Sequence, residues 1–157
     1  CESIQLIGRL NNERVIKFVP KKYIKGPGNL DKYKVILPKA NGSGAIGEVL
    51  STPLVGTPLV GHTQTFISIG KLETLDEADS LFKYIKSKFA RTLLGVLKIT
   101  QDNKKGTWKY VPLQDFTVNS DIDWTQSVSD IDRQLYQKYD LSPEEIAFIE
   151  THVREMD

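Results

Sequence analysis

TLDEADSLFKYIKSKFARTLLGVLKITQDNKKGTWKYVPLQDF, residues 74–116, carries the clearest helix signal in the chain. Thr74 and Glu77 form a T-x-x-E capping box, and acidic residues in the first turn suit the positive end of a helix dipole. A helix beginning after Thr74 is therefore predicted. The stretch continues into a polar turn at residues 101–106 and a predicted strand at residues 107–113.

The predicted helix is amphipathic. Apolar side chains recur at helical spacing on one side; they are Leu81, Phe82, Ile85, Phe89, Leu93 and Val96. Lys83, Lys86 and Arg91 fall largely on the other side. The pattern predicts one packed face and one basic face, with the basic face close to the turn at residues 101–106.

The remaining elements extend outward from this helix. Alternating residues at 3–10 and 14–19 predict a hairpin, and further strands are predicted at residues 33–37 and 65–69. Ser127 begins one late helix, and Ser142-Pro143-Glu144-Glu145 begins another. The predicted class is α+β: a mixed or mostly antiparallel sheet packed by one main helix, with a C-terminal helical hairpin.

Charge divides the chain into two parts. Residues 1–114 hold 18 Lys and Arg against 9 Asp and Glu, whereas residues 115–157 hold 3 against 11. We expect residues 1–116 to form a basic body and residues 117–157 an acidic helical tail packed on the same domain. A basic body suits phosphate, although an ordinary surface with self-complementary halves explains the same composition.

The composition argues against a membrane protein and against a disulfide-stabilised one. The sequence contains no apolar run of about 18 residues and no basic N-terminal region followed by an apolar stretch, so a cytoplasmic protein without membrane contact is expected. The one cysteine, Cys1, excludes an intrachain disulfide and a cysteine-rich metal site. Because the chain begins with Cys1 rather than methionine, we expect it to be a piece of something longer.

Two local patterns invite cofactor hypotheses that their context does not support. GSGAIG at residues 42–47 matches G-x-G-x-x-G, but Pro53 and Pro58 leave no room for the helix that must bind a pyrophosphate. The aspartates from Asp121 partly match a calcium loop, yet Gln126 occupies the glycine position. We predict neither a nucleotide site nor a metal site.

Five lysines surround two tyrosines between residues 21 and 34. This arrangement suits nucleic-acid binding, in which Tyr23 and Tyr33 stack on an exposed base and the lysines contact the phosphate backbone. It equally suits tyrosines that cover the edge of a core while lysines keep a loop in solvent. His62 has no partner that supports catalysis, and a hydrogen-bonded structural histidine is the better interpretation.

Long strings of the sequence resemble one family. KFARTLLGVLKITQD, WKYVPLQDF and IDWTQSVSDIDRQLYQKYDLSPEEIAFIE resemble the C-terminal part of restriction-modification DNA adenine methyltransferases, including enzymes that fuse a methylase and a nuclease. KVILPKANGSGAIGEVLSTP and GHTQTFISIG resemble the same family, so the similarity begins near Lys21. It implies a target-recognition domain that reads double-stranded DNA beside the catalytic methyltransferase domain of the same parent chain.

The family's catalytic motifs do not occur in this sequence. The chain has no Asn/Asp-Pro-Pro-Tyr/Phe motif and no paired-acid-plus-lysine nuclease pattern. We therefore expect no catalytic residues and no cofactor in this stretch, although the resemblance implies S-adenosylmethionine for the parent enzyme.

The predicted DNA-binding residues follow from residue type and position. The phosphate contacts are Lys83, Lys86, Arg91, Lys98, Lys104, Lys105 and Lys109. The candidates for base edges are Lys39, Asn41, Thr63, Gln64, Gln101 and Asn103. The alternative function is a protein-docking module, in which the acidic tail and its aromatic residues Tyr136, Tyr139 and Phe148 attach to the methylase or nuclease domain.

Overall fold

The computed structural model describes residues 2–26, 28–39, 51–97 and 108–156. Within them the strands are β1 (Ser3–Leu10), β2 (Glu13–Pro20), β3 (Tyr33–Pro38), β4 (Leu54–Gly56), β5 (Val60–His62) and β6 (Phe66–Leu72). The helices are α1 (Leu75–Lys86), α2 (Lys88–Leu97), α3 (Val128–Lys138) and α4 (Pro143–His152). None of the helices in these described ranges is long and apolar enough to cross a membrane.

The described strands form two small sheets rather than one. The first has the order β2-β1-β5, and the second has the order β4-β3-β6. All pairs are antiparallel except β1 with β5. The predicted α+β class with a mostly antiparallel sheet is therefore confirmed, while the expectation of a single sheet is wrong.

A direct repeat in the sequence is divided between the two sheets. The first TPLVG copy supplies β4, which pairs with β3, and the second supplies β5, which pairs with β1. Leu59 has a φ of 67°, a turn conformation that lets the chain leave one sheet and join the other. Ile7, Ile36 and Phe66 then pack together and join the sheets.

The main helix begins as predicted and ends earlier than predicted. Thr74 and Glu77 form the capping box, with the Thr74 side chain accepting from the Glu77 N–H at 3.2 Å. The helix stops at Lys86 because Ser87 is extended, with φ −60° and ψ 147°. The single long helix of the sequence pattern is therefore two helices, α1 and α2.

The start of α2 depends on a residue far away in the sequence. Ser87 Oγ accepts from the Ala90 N–H at 3.1 Å. The Asp132 carboxylate accepts from the N–H groups of Lys88 and Phe89 at 3.1 and 2.9 Å. The first turn of α2 has no acidic residue of its own, so Asp132 supplies the negative charge that a helix N-terminus favours.

The strand predicted at residues 107–113 is wrong over residues 108–113, which form a turn and irregular chain. Side chains rather than a strand ladder hold this segment: the Tyr84 hydroxyl donates to the Pro112 carbonyl at 2.7 Å. Burial raises the pKa of Tyr84, so the hydroxyl stays protonated and remains a donor.

Both C-terminal helices begin where predicted. Ser127 caps α3, and Ser142 with Glu145 forms a capping box for α4. Their apolar side chains join Tyr84 and Phe89 in one buried cluster. That cluster includes Ile122, Trp124, Ile131, Leu135, Tyr136, Ile149 and Val153. The acidic tail is thus part of the core.

Lys34 is an interior lysine on β3. It is 1% exposed, and its ammonium donates to the carbonyl oxygens of Asn29, Leu30, Lys32 and Thr57 at 2.9 to 3.2 Å. Burial lowers the pKa of Lys34 to about 8. The side chain therefore fastens the loop before β3 to the loop between β4 and β5, and it does not belong to a solvent-facing basic segment.

Candidate nucleic-acid interface

The N-terminal hairpin extends beyond its neighbouring strand as a two-stranded ribbon. Its turn contains Asn11 and Asn12, with φ of 51° and 64°, which suits the right-handed twist of a two-residue hairpin. β5 pairs with β1 only from Gln5 to Ile7, so the ribbon beyond Ile7 consists of β1 and β2 alone. The hairpin itself was predicted from the sequence and is confirmed.

Two arginines face each other near the end of this ribbon. Arg9 and Arg14 are directly opposed in the β1–β2 register, so their side chains lie on the same face. Arg14 donates to the Thr52 carbonyl at 2.6 Å, and its guanidinium lies 5.8 Å from the centre of the Phe66 ring. Burial and, to a smaller extent, the charge of Arg9 lower the pKa of Arg14.

The turn between β5 and β6 lies beside the same ribbon. The Thr63 N–H donates to the Ile7 carbonyl at 2.9 Å, and the Thr63 and Thr65 hydroxyls are 2.8 Å apart. The Lys39 N–H donates to the Thr65 carbonyl at 2.9 Å. These contacts bring the end of β3 next to the turn that carries Gln64.

The structure thus brings together three of the predicted base-contacting residues and two arginines that sequence reasoning missed. We call this set the basic edge; it consists of Arg9, Arg14, Lys39, Thr63 and Gln64. The missed arginines had a sequence signal, because a hairpin closed by Asn11 and Asn12 sets Arg9 opposite Arg14.

Within the part of the chain that the structure describes, acidic residues do not neutralise the basic edge. Among the described residues, no carboxylate lies within 4.0 Å of the charged groups of Arg9, Arg14 or Lys39. Other lysines are paired: Lys21 contacts Glu2 and Asp31 at 3.1 and 3.2 Å. Two like charges directly opposite in a sheet are destabilising, and an anion bound between them relieves the repulsion.

The helical cations lie elsewhere, in acidic surroundings. Lys83 donates to the carbonyls of Trp124 and Gln126 at 2.9 and 3.0 Å, and Lys86 lies 5.0 Å from the centre of the Phe82 ring. Both line a groove beside six carboxylates; these are Glu73, Asp76, Glu77, Asp79, Asp121 and Asp123. The predicted basic helix face is therefore wrong, because α1 meets the acidic segment that follows Phe116.

The position that the sequence pattern predicted for Arg91 is also wrong. Arg91 is 2% exposed and donates to the carbonyls of Lys86 and Arg154 at 3.0 and 2.6 Å. In this position the guanidinium joins the end of α1 to the chain beyond α4. A phosphate does not reach it, so Arg91 is removed from the set of phosphate contacts.

Lys109 is exposed and lies 5.8 Å from the centre of the Tyr110 ring, apart from the basic edge in the segment after α2. The other predicted contacts lie outside the described residues: Asn41, Lys98, Gln101, Asn103, Lys104 and Lys105. The glycine motif at residues 42–47 and the turn at residues 101–106 also lie outside them.

The tyrosine-lysine segment is divided between surface and interior. Tyr23 is exposed beneath the Lys22 ammonium at 5.0 Å, whereas Tyr33 is half-buried. His62 Nδ1 donates to the Thr63 carbonyl at 2.9 Å, in agreement with its interpretation as a hydrogen-bonded structural histidine. The surface tyrosine remains available for stacking, and the other becomes part of the fold.

The basic edge offers cationic and amide donors together with hydroxyl groups, a combination that suits phosphates and base edges. Within the described ranges, no three His, Cys, Asp or Glu side chains gather where they could hold a metal ion. No protein-family model, curated protein or solved structure matches this chain.

Proposed function

We propose that the chain is the DNA-binding target-recognition domain of a restriction-modification adenine methyltransferase or fused methylase/nuclease. The observation that carries this proposal is the pair Arg9 and Arg14 on the ribbon, which no carboxylate of the described residues contacts, with Lys39, Thr63 and Gln64 beside it. The long sequence strings that resemble this family support it independently.

A two-stranded ribbon has the dimensions to enter the major groove of B-DNA, where base pairs are distinguishable. In this proposal Arg9 and Arg14 contact phosphates and fix the position of the ribbon. Gln64 and Lys39, both exposed, extend toward base edges, where a side-chain amide pairs with adenine and a lysine pairs with guanine. Asn11 and Asn12 at the turn add two more amides.

The parent enzyme follows from the same proposal. The methyltransferase domain of the parent chain supplies S-adenosylmethionine and catalysis, and this domain supplies sequence recognition without a cofactor. Such an enzyme acts in the cytoplasm, where it meets the double-stranded DNA of the cell.

The proposal is tested by fluorescence anisotropy of a labelled duplex in about 0.1 M salt. Each lost phosphate contact weakens binding roughly 8-fold at that salt, so Arg9→Gln/Arg14→Gln should bind about 60-fold more weakly than the unmodified chain. The matched control is Lys71→Gln/Lys86→Gln. It also removes two cations, one near the far end of β6 and one in the acidic groove.

The control double variant should bind within about twofold of the unmodified chain, since neither of its lysines belongs to the basic edge. Circular dichroism of both variants checks that the fold is retained. Equal losses in the two double variants would contradict the proposal, because they would report general charge attraction rather than a localised contact.

A protein-docking function is the second candidate, and one observation favours it. Leu113 and Val118 are 93% and 99% exposed in the segment that joins α2 to α3. Of the tail aromatics of the sequence hypothesis, Tyr136 is buried and Tyr139 stacks on Phe89 with ring centres 5.0 Å apart. Phe148 is 45% exposed, about half as much as Leu113 or Val118, and stacks on His152. We infer that any contact with the methyltransferase domain uses Leu113 and Val118.

Affinity for a separately expressed methyltransferase domain tests this second candidate. Leu113→Ser/Val118→Ser should lose that affinity while binding duplex DNA as before. Retained affinity in the double variant would exclude these two residues as the docking contact. Deleting residues 117–157 is not a usable test, since they supply a large share of the buried cluster around Tyr84.

A further inference from the structure

The outer edge of β2 has no strand beside it among the described residues, although it is long and regular. β2 pairs with β1 over eight consecutive residues without a register shift, and it lies at the end of its sheet. Native proteins usually protect such an edge with a bulge, a proline or a charge pointing from it. Here Pro20 appears only at the last position of the strand, and the charged residues Glu13, Arg14 and Lys17 leave Ile16 and Phe18 exposed between and beyond them.

The backbone groups available on this edge follow from the hairpin register. With a two-residue turn, Leu10 and Glu13 form the first hydrogen-bonded pair, so Glu13, Val15, Lys17 and Val19 direct their N–H and C=O groups toward β1. Arg14, Ile16 and Phe18 direct theirs outward. Two of these three residues have exposed apolar side chains: Ile16 is 59% exposed and Phe18 is 72% exposed.

We propose that β2 pairs antiparallel with β2 of a second copy of this chain, across a two-fold axis at Ile16. Such a pairing is isologous and closes after two copies, and it joins two three-stranded sheets into one of six strands. This inference is separate from DNA binding: the major groove admits a two-stranded ribbon but not a six-stranded sheet, so the paired form must separate before the ribbon enters the groove.

The charges of β2 favour the register centred on Ile16. Outward-directed residues must face outward-directed residues; axes at Ile16 or Lys17 then pair seven residues of each strand, against five for axes at Val15 or Phe18, so the first two are the registers to compare. A two-fold axis at Lys17 sets the Lys17 side chains of the two copies directly opposite each other, which is unfavourable. It also places Arg14 opposite Pro20, which has no N–H to donate. Centring the axis on Ile16 sets Ile16 against Ile16 and Arg14 against Phe18, with no like charges opposite.

The Ile16-centred register adds one favourable pair on the other face of the sheet. Glu13 of one copy lies diagonal to Lys17 of its partner, within reach of long side chains. Neither residue has an ion-pair partner among the described residues of its own chain. By symmetry the pairing makes two such Glu13–Lys17 diagonals, which outweigh the one Lys17–Lys17 diagonal across the axis. The strand is therefore complementary to itself in hydrogen bonding and, on balance, in charge.

Disulfide trapping tests the register directly, because the chain's one cysteine can be removed by Cys1→Ser. In that background Ile16→Cys places two Cα atoms about 5.5 Å apart across the axis, within the range of a disulfide. The matched control, Phe18→Cys, places them about 14 Å apart, beyond that range. Oxidation should link two copies of Ile16→Cys by a disulfide and leave Phe18→Cys without one, as non-reducing denaturing electrophoresis will show.

Analytical ultracentrifugation of the unmodified 157-residue chain provides the second measurement. The mass should shift from one copy to two as the concentration rises toward about 100 µM, and Ile16→Lys/Phe18→Lys should lose that shift. Leu113→Lys, which replaces an exposed apolar residue elsewhere, should keep it. A single-copy mass for the unmodified chain at every concentration, or equal linking of the two cysteine variants, would overturn the proposal.

Discussion

Replacing Asp132 with asparagine should reverse its effect on stability between acidic and neutral pH. Asp132 is 2% exposed, and burial raises its pKa to about 6 from an ordinary 3.8. Glu150 adds to this rise. The N–H groups of Phe89 and Lys88 and the charge of Arg91 oppose it without cancelling it. The ionised carboxylate thus caps α2 at a cost in free energy.

The sign follows from proton linkage. Because the pKa of Asp132 is higher in the folded chain than in the unfolded chain, the folded state holds the proton more tightly between about pH 4 and pH 6. The free energy of unfolding therefore falls as pH rises through that window. A difference of about two pKa units corresponds to about 3 kcal/mol contributed by this one group.

Asp132→Asn removes the charge and keeps one acceptor oxygen for the two N–H groups. Near pH 4 the variant should be less stable than the unmodified chain by about 1 kcal/mol, the value of one hydrogen bond. Near pH 7 it should be more stable by about 2 kcal/mol, because the cost of burying the charge is gone.

Urea unfolding followed by tryptophan fluorescence measures both values, since Trp124 lies in the buried cluster that α3 shares with α2. Taking the difference between the unmodified chain and Asp132→Asn removes the contribution of the other carboxylates. A difference that changes in the opposite direction would refute the reasoning. It would mean that the two N–H groups lower the pKa of Asp132 more than burial raises it.

Three further substitutions test the fold by urea unfolding. Lys34→Met should cost about 2 to 4 kcal/mol, because four carbonyl oxygens lose their ammonium donor. Gly70→Ala should cost about 1 to 3 kcal/mol, since the φ is 94° and a Cβ would lie 2.9 Å from Leu81 Cδ2. Asn12→Gly should stabilise the hairpin by about 0.5 kcal/mol, because glycine adopts the positive φ of 64° without strain. An unchanged midpoint in any of the three would contradict the contact it removes or relieves.

Local chemistry made several elements predictable from sequence. The capping boxes at Thr74 and Ser142 use residues three apart, and both are formed in the structure. The hairpin followed from alternation on either side of Asn11 and Asn12, and its turn is as short as the pattern indicated. Each of these signals lies within one turn or one strand pair, so no distant residue was needed.

Other features depended on distant contacts. The apolar periodicity continues through Ser87, and the break there is stabilised by Asp132, 43 to 44 residues beyond the N–H groups it accepts from. Arg91 was predicted on a basic face, but α2 packs that residue against the chain after α4. The acidic groove around Lys83 likewise arises only when the segment after Phe116 folds back onto α1.

The candidate site likewise combines features that local sequence predicts with features that depend on distant contacts. Lys39, Thr63 and Gln64 were chosen for residue type and position in the chain, and the structure places them together because β3 and β6 pair beside the β5–β6 turn. Arg9 and Arg14 are set opposite each other by a local turn, so their pairing is readable from the hairpin register. Their nearness to Lys39 depends on the contact between the two sheets, which no short pattern encodes.

The most direct measurement of the central claim is the salt dependence of duplex binding for the unmodified chain and for Arg9→Gln/Arg14→Gln. If the basic edge contacts phosphates, the logarithm of the association constant falls linearly with the logarithm of salt concentration. The double variant then loses about 2 units of slope. A flat response for the unmodified chain, or identical slopes for the two proteins, would contradict the assignment of the basic edge to DNA.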